Sequence, residues 1–108
     1  MTTHKYNRQA SDICEALNLI IEQSNDESLS FITILDVELT KDLQDAKVYI
    51  STLQAIEDDK LIELLQSKEK YFKKLLAQKL TMRKIPSLLF KVDHGLENFN
   101  HIEQLLKK

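Results

Sequence analysis

The sequence predicts a single α+β domain in which helices cover one face of a small three-stranded sheet. Two segments, about Ser30–Thr40 and Ala46–Leu53, alternate apolar and polar residues with the period of a half-buried strand, and Ser87–Asp93 repeats the pattern. The segments before and between them instead place apolar residues at three- and four-residue steps, which is typical of amphipathic helices. The chain has 108 residues, which suits one domain, so we expect residues 1–108 to fold together.

The first helix is predicted over about Tyr6–Gln23. Its apolar stripe consists of Ala10, Ile13, Leu17, Ile20 and Ile21. The polar segment Ser24–Ser28 is predicted to end it. Cys14 lies beside the stripe, and we interpret it as a small buried side chain rather than a reactive thiol.

The first two strands are predicted to form an antiparallel hairpin, because a short polar connection joins them. Strict alternation in the first strand puts Thr33, Leu35, Val37 and Leu39 on one face and Ile32, Ile34, Asp36 and Glu38 on the other. In the second strand Ala46, Val48 and Ile50 are expected to point inward, and Lys47, Tyr49 and Ser51 outward. The predicted turn contains no glycine.

Two more helices are predicted before the last strand. The second covers about Glu57–Gln66, and Ser67–Lys70 is the expected break. The third runs from Tyr71 to about Arg83, with Phe72, Leu75, Leu76 and Leu80 on one face and Tyr71 and Phe72 expected in the core. Pro86 disfavours helical geometry at the residue before it and should stop this helix. A short C-terminal helix is predicted over about Asn98–Leu106.

Charge is distributed unevenly along the chain. From Glu22 to Glu63 there are eleven acids and three bases, and from Lys68 to Lys91 there are eight bases and one acid. The net charge is only −2, so these opposite excesses nearly cancel. The pattern suggests a molecule with a cationic binding face and an acidic face behind it.

The composition argues against catalysis and against a bound cofactor or metal. One cysteine and three scattered histidines show no metal-ligand spacing, and a chain with one glycine cannot contain a glycine-rich phosphate loop. We therefore expect no catalytic residues, no metal and no small-molecule substrate. No apolar run is long enough to cross a membrane and the N-terminus lacks a signal pattern, so a reducing cytoplasm is the expected location.

Binding is the remaining class of function, and two hypotheses stay open. Thirteen of the fifteen bases are lysines, which bind phosphates as point charges, so an RNA-binding protein would recognise backbone shape more than sequence. The alternative is a non-enzymatic protein-interaction module whose acidic face docks a basic partner.

Two motifs resemble the bacterial ribosome-binding factor A family. The segment L-T-K-D-L-Q-D-A-K-V-Y-I-S (Leu39–Ser51) is similar to the family's Leu-Ser-x-Asp pattern followed by Ala-Lys-Val-Tyr. The segment M-R-K-I-P-S-L-L-F-K-V-D (Met82–Asp93) is similar to its Arg-x-x-Pro-x-Leu-x-Phe-x-x-Asp signature. Both occur in the family's order, and the likeness extends from about Tyr6 to Leu106.

The resemblance implies a type II KH-like domain of order α-β-β-α-α-β. It also implies a monomeric, non-enzymatic factor, linked to growth in the cold, that binds the small ribosomal subunit and its ribosomal RNA during late maturation and 3′/5′ end processing. The family carries an Ala-x-Gly kink between two helices where Lys68-Glu69-Lys70 stands here, so lysine side chains are expected to replace close backbone contact. The expected RNA-binding residues are Lys68, Lys70, Lys73, Lys74, Lys79, Arg83, Lys84, Lys91 and Lys47.

Overall fold

The structure, a computed structural model, describes residues 8–93. Its helices are α1 (Arg8–Gln23), α2 (Asp58–Ser67) and α3 (Glu69–Lys79), and its strands are β1 (Ile32–Leu39), β2 (Asp45–Thr52) and β3 (Ser87–Val92). A 3-10 turn, Glu27–Leu29, joins α1 to β1. The predicted order α-β-β-α-α-β is confirmed, while the predicted helix over Asn98–Leu106 lies outside the described residues.

The sheet has the strand order β1-β2-β3. β1 and β2 pair antiparallel, which confirms the predicted hairpin, and β3 pairs with β2 in parallel after the crossover through α2 and α3. Ala46, Val48 and Ile50 of β2 point into the core as predicted. The helices pack on this inner face, and one hydrophobic cluster joins them to the sheet.

The predicted faces of β1 are wrong beyond Ile34. A bulge at Leu35 shifts the register, because Ile34 pairs with Ile50 while Asp36 pairs with Tyr49. The extra residue reverses the alternation, so Ile32, Ile34 and Val37 are buried whereas Leu35 is exposed. A strict period of two cannot anticipate a bulge.

The hairpin turn forms without glycine because Leu43 adopts a left-handed backbone, with φ of 60°. The carboxylate of Asp42 holds the turn by accepting hydrogen bonds from the Thr40 hydroxyl at 2.7 Å and from the Gln44 N–H at 3.1 Å. The Thr40 bond, the Gln44 bond and the charge of Lys84 lower the pKa of Asp42. Phe31, just before β1, is the other non-glycine residue with positive φ among residues 8–93.

Helix α3 ends at Lys79, so the predicted end near Arg83 is wrong. Leu80 is already extended, with φ of −111° and ψ of 154°. In the segment that follows, Leu80, Met82 and Ile85 all pack against the core. A continued helix would not place these three side chains on one side of its axis. Tertiary packing therefore overrides the helical pattern here.

Side chains from the helices form hydrogen bonds with backbone groups of both outer strands. Asn18 of α1 is bonded twice to Ile34 of β1: its Nδ2 donates to the carbonyl oxygen and its Oδ1 accepts from the N–H, both at 2.9 Å. Across the sheet, Glu69 Oε2 accepts from the N–H of Leu88 at 2.7 Å and Gln66 Oε1 from that of Phe90 at 3.0 Å. The bonds from Gln66 and Glu69 hold the α2–α3 junction against β3.

Candidate nucleic-acid interface

The α2–α3 junction is interrupted by a single residue, Lys68. Its backbone has φ of −103° and ψ of 9°, a conformation that needs no glycine. The break is therefore shorter than the predicted Ser67–Lys70, and α3 begins at Glu69 instead of Tyr71. The Lys68 N–H still donates to the Leu65 carbonyl oxygen at 3.0 Å, so the two helices meet with little unpaired backbone at their junction.

The side chain of Lys68 is held by an ion pair. Its Nζ lies 2.7 Å from Asp26 Oδ2, which ties the junction to the turn after α1. Hydrogen bonds from the Lys68 side chain and from the side chain and N–H of Ser28 lower the pKa of Asp26 to about 2. Of the nine expected RNA-binding residues, Lys68 is thus the one that forms an ion pair within residues 8–93.

Three lysines of α3 form the centre of the candidate interface. Lys70, Lys73 and Lys74 have the three- and four-residue spacing that places side chains on one side of a helix. Lys70 and Lys74 are exposed and Lys73 is half-buried. Among residues 8–93 none of the three makes an ion pair, so their ammonium groups are available to an anionic partner.

The other expected contacts lie on three different parts of the molecule. Lys79 stands at the end of α3. Arg83, predicted as the end of that helix, is exposed with Lys84 in the connection to β3. Lys47 and Lys91 lie on the outer face of the sheet, opposite the helical layer, where Lys47 pairs with Glu38 across the hairpin. The nine residues therefore do not form one continuous ridge.

Tyr71 was missed by the sequence reasoning, since its predicted core position is wrong. The side chain is 46% exposed, while the neighbouring Phe72 is buried with its ring centroid 5.9 Å from that of Phe90. Successive helix positions are about 100° apart, so only one of two adjacent aromatic rings can point into the core. The spacing of Phe72 and Leu76, both fully buried, could have identified which one.

Tyr71 and Lys68 line a polar cleft of about 610 Å³ between the end of α1 and the α2–α3 junction. The remaining lining residues are Gln23, Ser24, Asn25, Asp26 and Ser67. The exposed Tyr71 ring could stack on a base while the neighbouring amides and hydroxyls form hydrogen bonds with it. Stacking on an aromatic side chain is a common way for proteins to bind unpaired bases.

The structure shows no sign of a metal site or membrane span within its described part. No group of three or more histidine, cysteine, aspartate or glutamate side chains is placed to hold a metal ion among residues 8–93. None of the described helices is both long and apolar enough to span a bilayer.

Comparisons with known proteins agree on one family. The family model described as "Ribosome-binding factor A" matches residues 5–106. A ribosome-binding factor A from Citrifermentans bemidjiense is 40% identical over 83% of this chain and 76% of that protein. One from Enterococcus faecalis is 34% identical over 100% of this chain and 96% of that protein.

Solved structures give the same result. The crystal structure of ribosome-binding factor A from Thermus thermophilus has a TM-score of 0.71 at 26% identity, covering 79% of this chain and 91% of that one. A Thermus thermophilus homology model, fitted into a cryo-EM map of a complex between ribosome-binding factor A and the 30S subunit, has a TM-score of 0.64 at 27% identity, covering 76% and 88%. A Thermotoga maritima solution structure, titled a putative ribosome binding factor A, has a TM-score of 0.65 at 28% identity, covering 82% and 86%. The α+β arrangement seen here, with three helices and a three-stranded sheet, is consistent with a KH-like fold.

Proposed function

We propose that this chain, which belongs to the ribosome-binding factor A family, binds the small ribosomal subunit and its ribosomal RNA during late maturation. In this proposal the chain is a cytoplasmic, non-enzymatic monomer whose residues 1–108 act as one domain. Its presence on precursor subunits promotes processing of the RNA ends and supports growth in the cold. The Thermus thermophilus relative fitted into a map of a 30S complex supports the choice of partner.

The single observation that carries RNA binding is the unpaired lysine cluster of α3. Lys70, Lys73 and Lys74 are on one side of the helix and, within residues 8–93, have no carboxylate partner. Lysine side chains bind backbone phosphates whatever the base sequence is. We therefore propose that the protein recognises the shape of the RNA backbone. We assign Lys79, Arg83, Lys84 and Lys91 to flanking contacts. Lys68, paired with Asp26, and Lys47, opposite Glu38, are assigned to contacts in which phosphate must compete with a nearby carboxylate.

Salt dependence tests this assignment directly. A plot of the logarithm of the association constant against the logarithm of salt concentration has a negative slope. Each phosphate contact that is lost reduces the magnitude of this slope by about 0.7–0.9. We expect that reduction for Lys70→Ala, Lys73→Ala and Lys74→Ala binding a fragment of small-subunit RNA. Lys60→Ala is the matched control, because Lys60 is an exposed helical lysine on α2, in the acidic half of the chain. Unchanged slopes for all three α3 variants would contradict the proposal.

Tyr71 is proposed to stack on an unpaired base in the cleft beside Lys68. In the same titrations Tyr71→Ala should weaken RNA binding by about 1–3 kcal/mol without changing the salt slope, because stacking releases no counterions. Tyr71→Phe retains the stacking ring and should bind nearly as tightly as the unaltered chain. Equal losses for the two variants would assign the role to the hydroxyl group instead.

The proposed role in maturation has a separate test in cells. Depletion of the chain should raise the fraction of small-subunit RNA that retains unprocessed ends, most strongly at low growth temperature. A triple variant of Lys70, Lys73 and Lys74 to Ala should fail to restore processing, whereas Lys60→Ala should restore it. Normal end processing in depleted cells would refute this part of the proposal.

A further inference from the structure

Two large apolar side chains are strongly exposed at one end of the sheet. Phe31, just before β1, is 69% exposed, and Leu53, just after β2, is 87% exposed. The Leu53 N–H donates to the Phe31 carbonyl oxygen at 3.2 Å, so the two residues are neighbours across the hairpin. We call this pair the Phe31–Leu53 tip.

The backbone of the tip is both strained and fixed. Phe31 has φ of 66°, a left-handed conformation that is unfavourable for a bulky side chain. Gln54 Nε2 donates to the Ser28 carbonyl oxygen at 3.3 Å and also bonds to the Ser30 carbonyl oxygen, which fastens the segment before β1 to the end of β2. These hydrogen bonds hold Phe31 in an unfavourable backbone conformation that leaves its ring in solvent. Such maintained strain indicates that the ring has a function.

The surroundings of the tip are acidic. No lysine or arginine occurs from Glu22 to Thr40 or from Val48 to Asp59, the two segments that contain the tip. Glu22 and Asp26 line a cleft of about 480 Å³ together with Phe31, and Glu27 is exposed in the turn just before it. On the other side, Glu57 is exposed three residues after Gln54. The ion pair with Lys68 offsets the charge of Asp26, so Glu22, Glu27 and Glu57 are the carboxylates that make the surroundings acidic.

We propose that the Phe31–Leu53 tip docks a cationic protein segment of the small ribosomal subunit, one that presents an apolar side chain. Carboxylates around an apolar pair complement lysine and arginine around an apolar side chain, and they repel phosphates. RNA is therefore the wrong partner for the Phe31–Leu53 tip itself, although it suits the lysines of α3. This second contact rests on the subunit binding proposed above and adds a protein partner to it.

Photocrosslinking identifies what touches the tip. A benzoylphenylalanine in place of Phe31, or in place of Leu53, is mixed with purified small subunits and irradiated, and the adduct is analysed by mass spectrometry. We expect both positions to crosslink to the same basic ribosomal protein. The control position is Leu89, an exposed apolar residue of β3 on the outer sheet face, 41% exposed. Adducts of the tip with RNA, or a yield of protein adduct no higher than at Leu89, would overturn the proposal.

Glycine substitution separates the role of the ring from that of the backbone. Phe31→Gly should raise the thermal unfolding midpoint, because glycine tolerates positive φ, and yet weaken binding to small subunits at least fivefold. Leu43→Gly is the matched control, since Leu43 has φ of 60° in the hairpin turn. It should raise the midpoint and leave subunit binding unchanged.

Binding to an isolated RNA fragment distinguishes this proposal from the function on which it rests. Phe31→Gly should bind that fragment as tightly as the unaltered chain does, whereas the α3 lysine variants should bind it less tightly. Phe31→Gly that binds subunits normally refutes the tip proposal alone. Lysine variants with unchanged RNA and subunit binding refute the RNA proposal alone.

Discussion

At the scale of single residues, Asp26 fixes the α2–α3 junction through Lys68. The chain has a lysine at the helix junction, and that lysine reaches a carboxylate in the turn after α1. Lys68 thereby stabilises the junction through its side chain, where a glycine would only permit it through backbone freedom. The same ion pair means that an anion binding to Lys68 would have to displace Asp26.

The ion pair predicts a pH dependence of stability. The pKa of Asp26 is lowered to about 2 from 3.8, chiefly by the hydrogen bond from Lys68, so the folded state favours the carboxylate. This stabilisation is present above pH 3.8 and is lost as the pH falls toward 2. We expect Asp26→Asn to be less stable than the unaltered chain at pH 7, with the difference in urea midpoint shrinking over that window.

A double-mutant cycle with Lys68→Met checks the partner. The coupling between the two substitutions should disappear over the same pH window as the difference for Asp26→Asn alone. A coupling that persists at pH 2 would mean that the pair acts by packing rather than by charge.

Cys14 is predicted to react slowly with thiol reagents. Burial raises the pKa of the thiol, the charges of Asp36 and Glu15 raise it further, and Sγ lies 3.7 Å from the Ile34 carbonyl oxygen. Because only the thiolate attacks, labelling at pH 7.5 should be markedly slower in the folded chain than in 8 M urea, roughly tenfold or more. Equal rates would show that the thiolate forms readily in the folded protein.

At the scale of elements, the α2–α3 junction is positioned by the strand beneath it. Glu69 and Gln66 accept the N–H groups of Leu88 and Phe90, so the orientation of the α3 lysines depends on β3. Glu69 is the one acid within the basic stretch from Lys68 to Lys91, and its contact explains why an acid is placed there. We therefore regard Glu69 as a positioning residue for the lysine cluster.

Replacing Glu69 tests this. Glu69→Ala leaves the N–H of Leu88 without its acceptor, and the free energy of unfolding should fall by about 1–3 kcal/mol. Glu69→Gln keeps an acceptor oxygen and should lose less. Amide hydrogen exchange should quicken at Leu88 in Glu69→Ala, and the same variant should weaken RNA binding although it removes a negative charge.

Glu63→Ala, at an exposed acid of α2, is the control and should change stability by less than about 0.5 kcal/mol. Tighter RNA binding by Glu69→Ala would show that its charge, not its contact with β3, is what matters.

At the scale of the whole molecule, periodicity was sufficient for the architecture but not for the interface. The element order, the hairpin and the inward face of β2 follow from apolar spacing, because burial of one face dictates that spacing. The end of α3, the bulge at Leu35 and the exposure of Tyr71 did not follow, since each depends on packing between segments distant in sequence. The consequence for the site is concrete: Arg83 lies beyond the end of α3, and Lys47 and Lys91 lie on the sheet face opposite the helices.

Charge segregation is likewise only partly a property of the sequence. The linear excess of bases after Lys68 does become a cluster on α3, where Lys70, Lys73 and Lys74 have no acidic partner within residues 8–93. Other members of that excess end up beside acids that the fold brings close, as Lys68 does with Asp26 and Lys84 with Asp42. Counting charges along the chain cannot show which of them the fold will neutralise.

The bonds that Asn18, Gln66 and Glu69 make to the outer strands have one more consequence. The unpaired backbone groups of an edge strand can hydrogen-bond to a strand of another chain. Many peptides bind in this way, and amyloid grows by the same pairing. At Ile34, Leu88 and Phe90 an incoming chain would first have to displace a helix side chain that already occupies the backbone group. That protection should keep the chain from joining other sheets through its backbone at these positions, and partners there are left to recognise side chains.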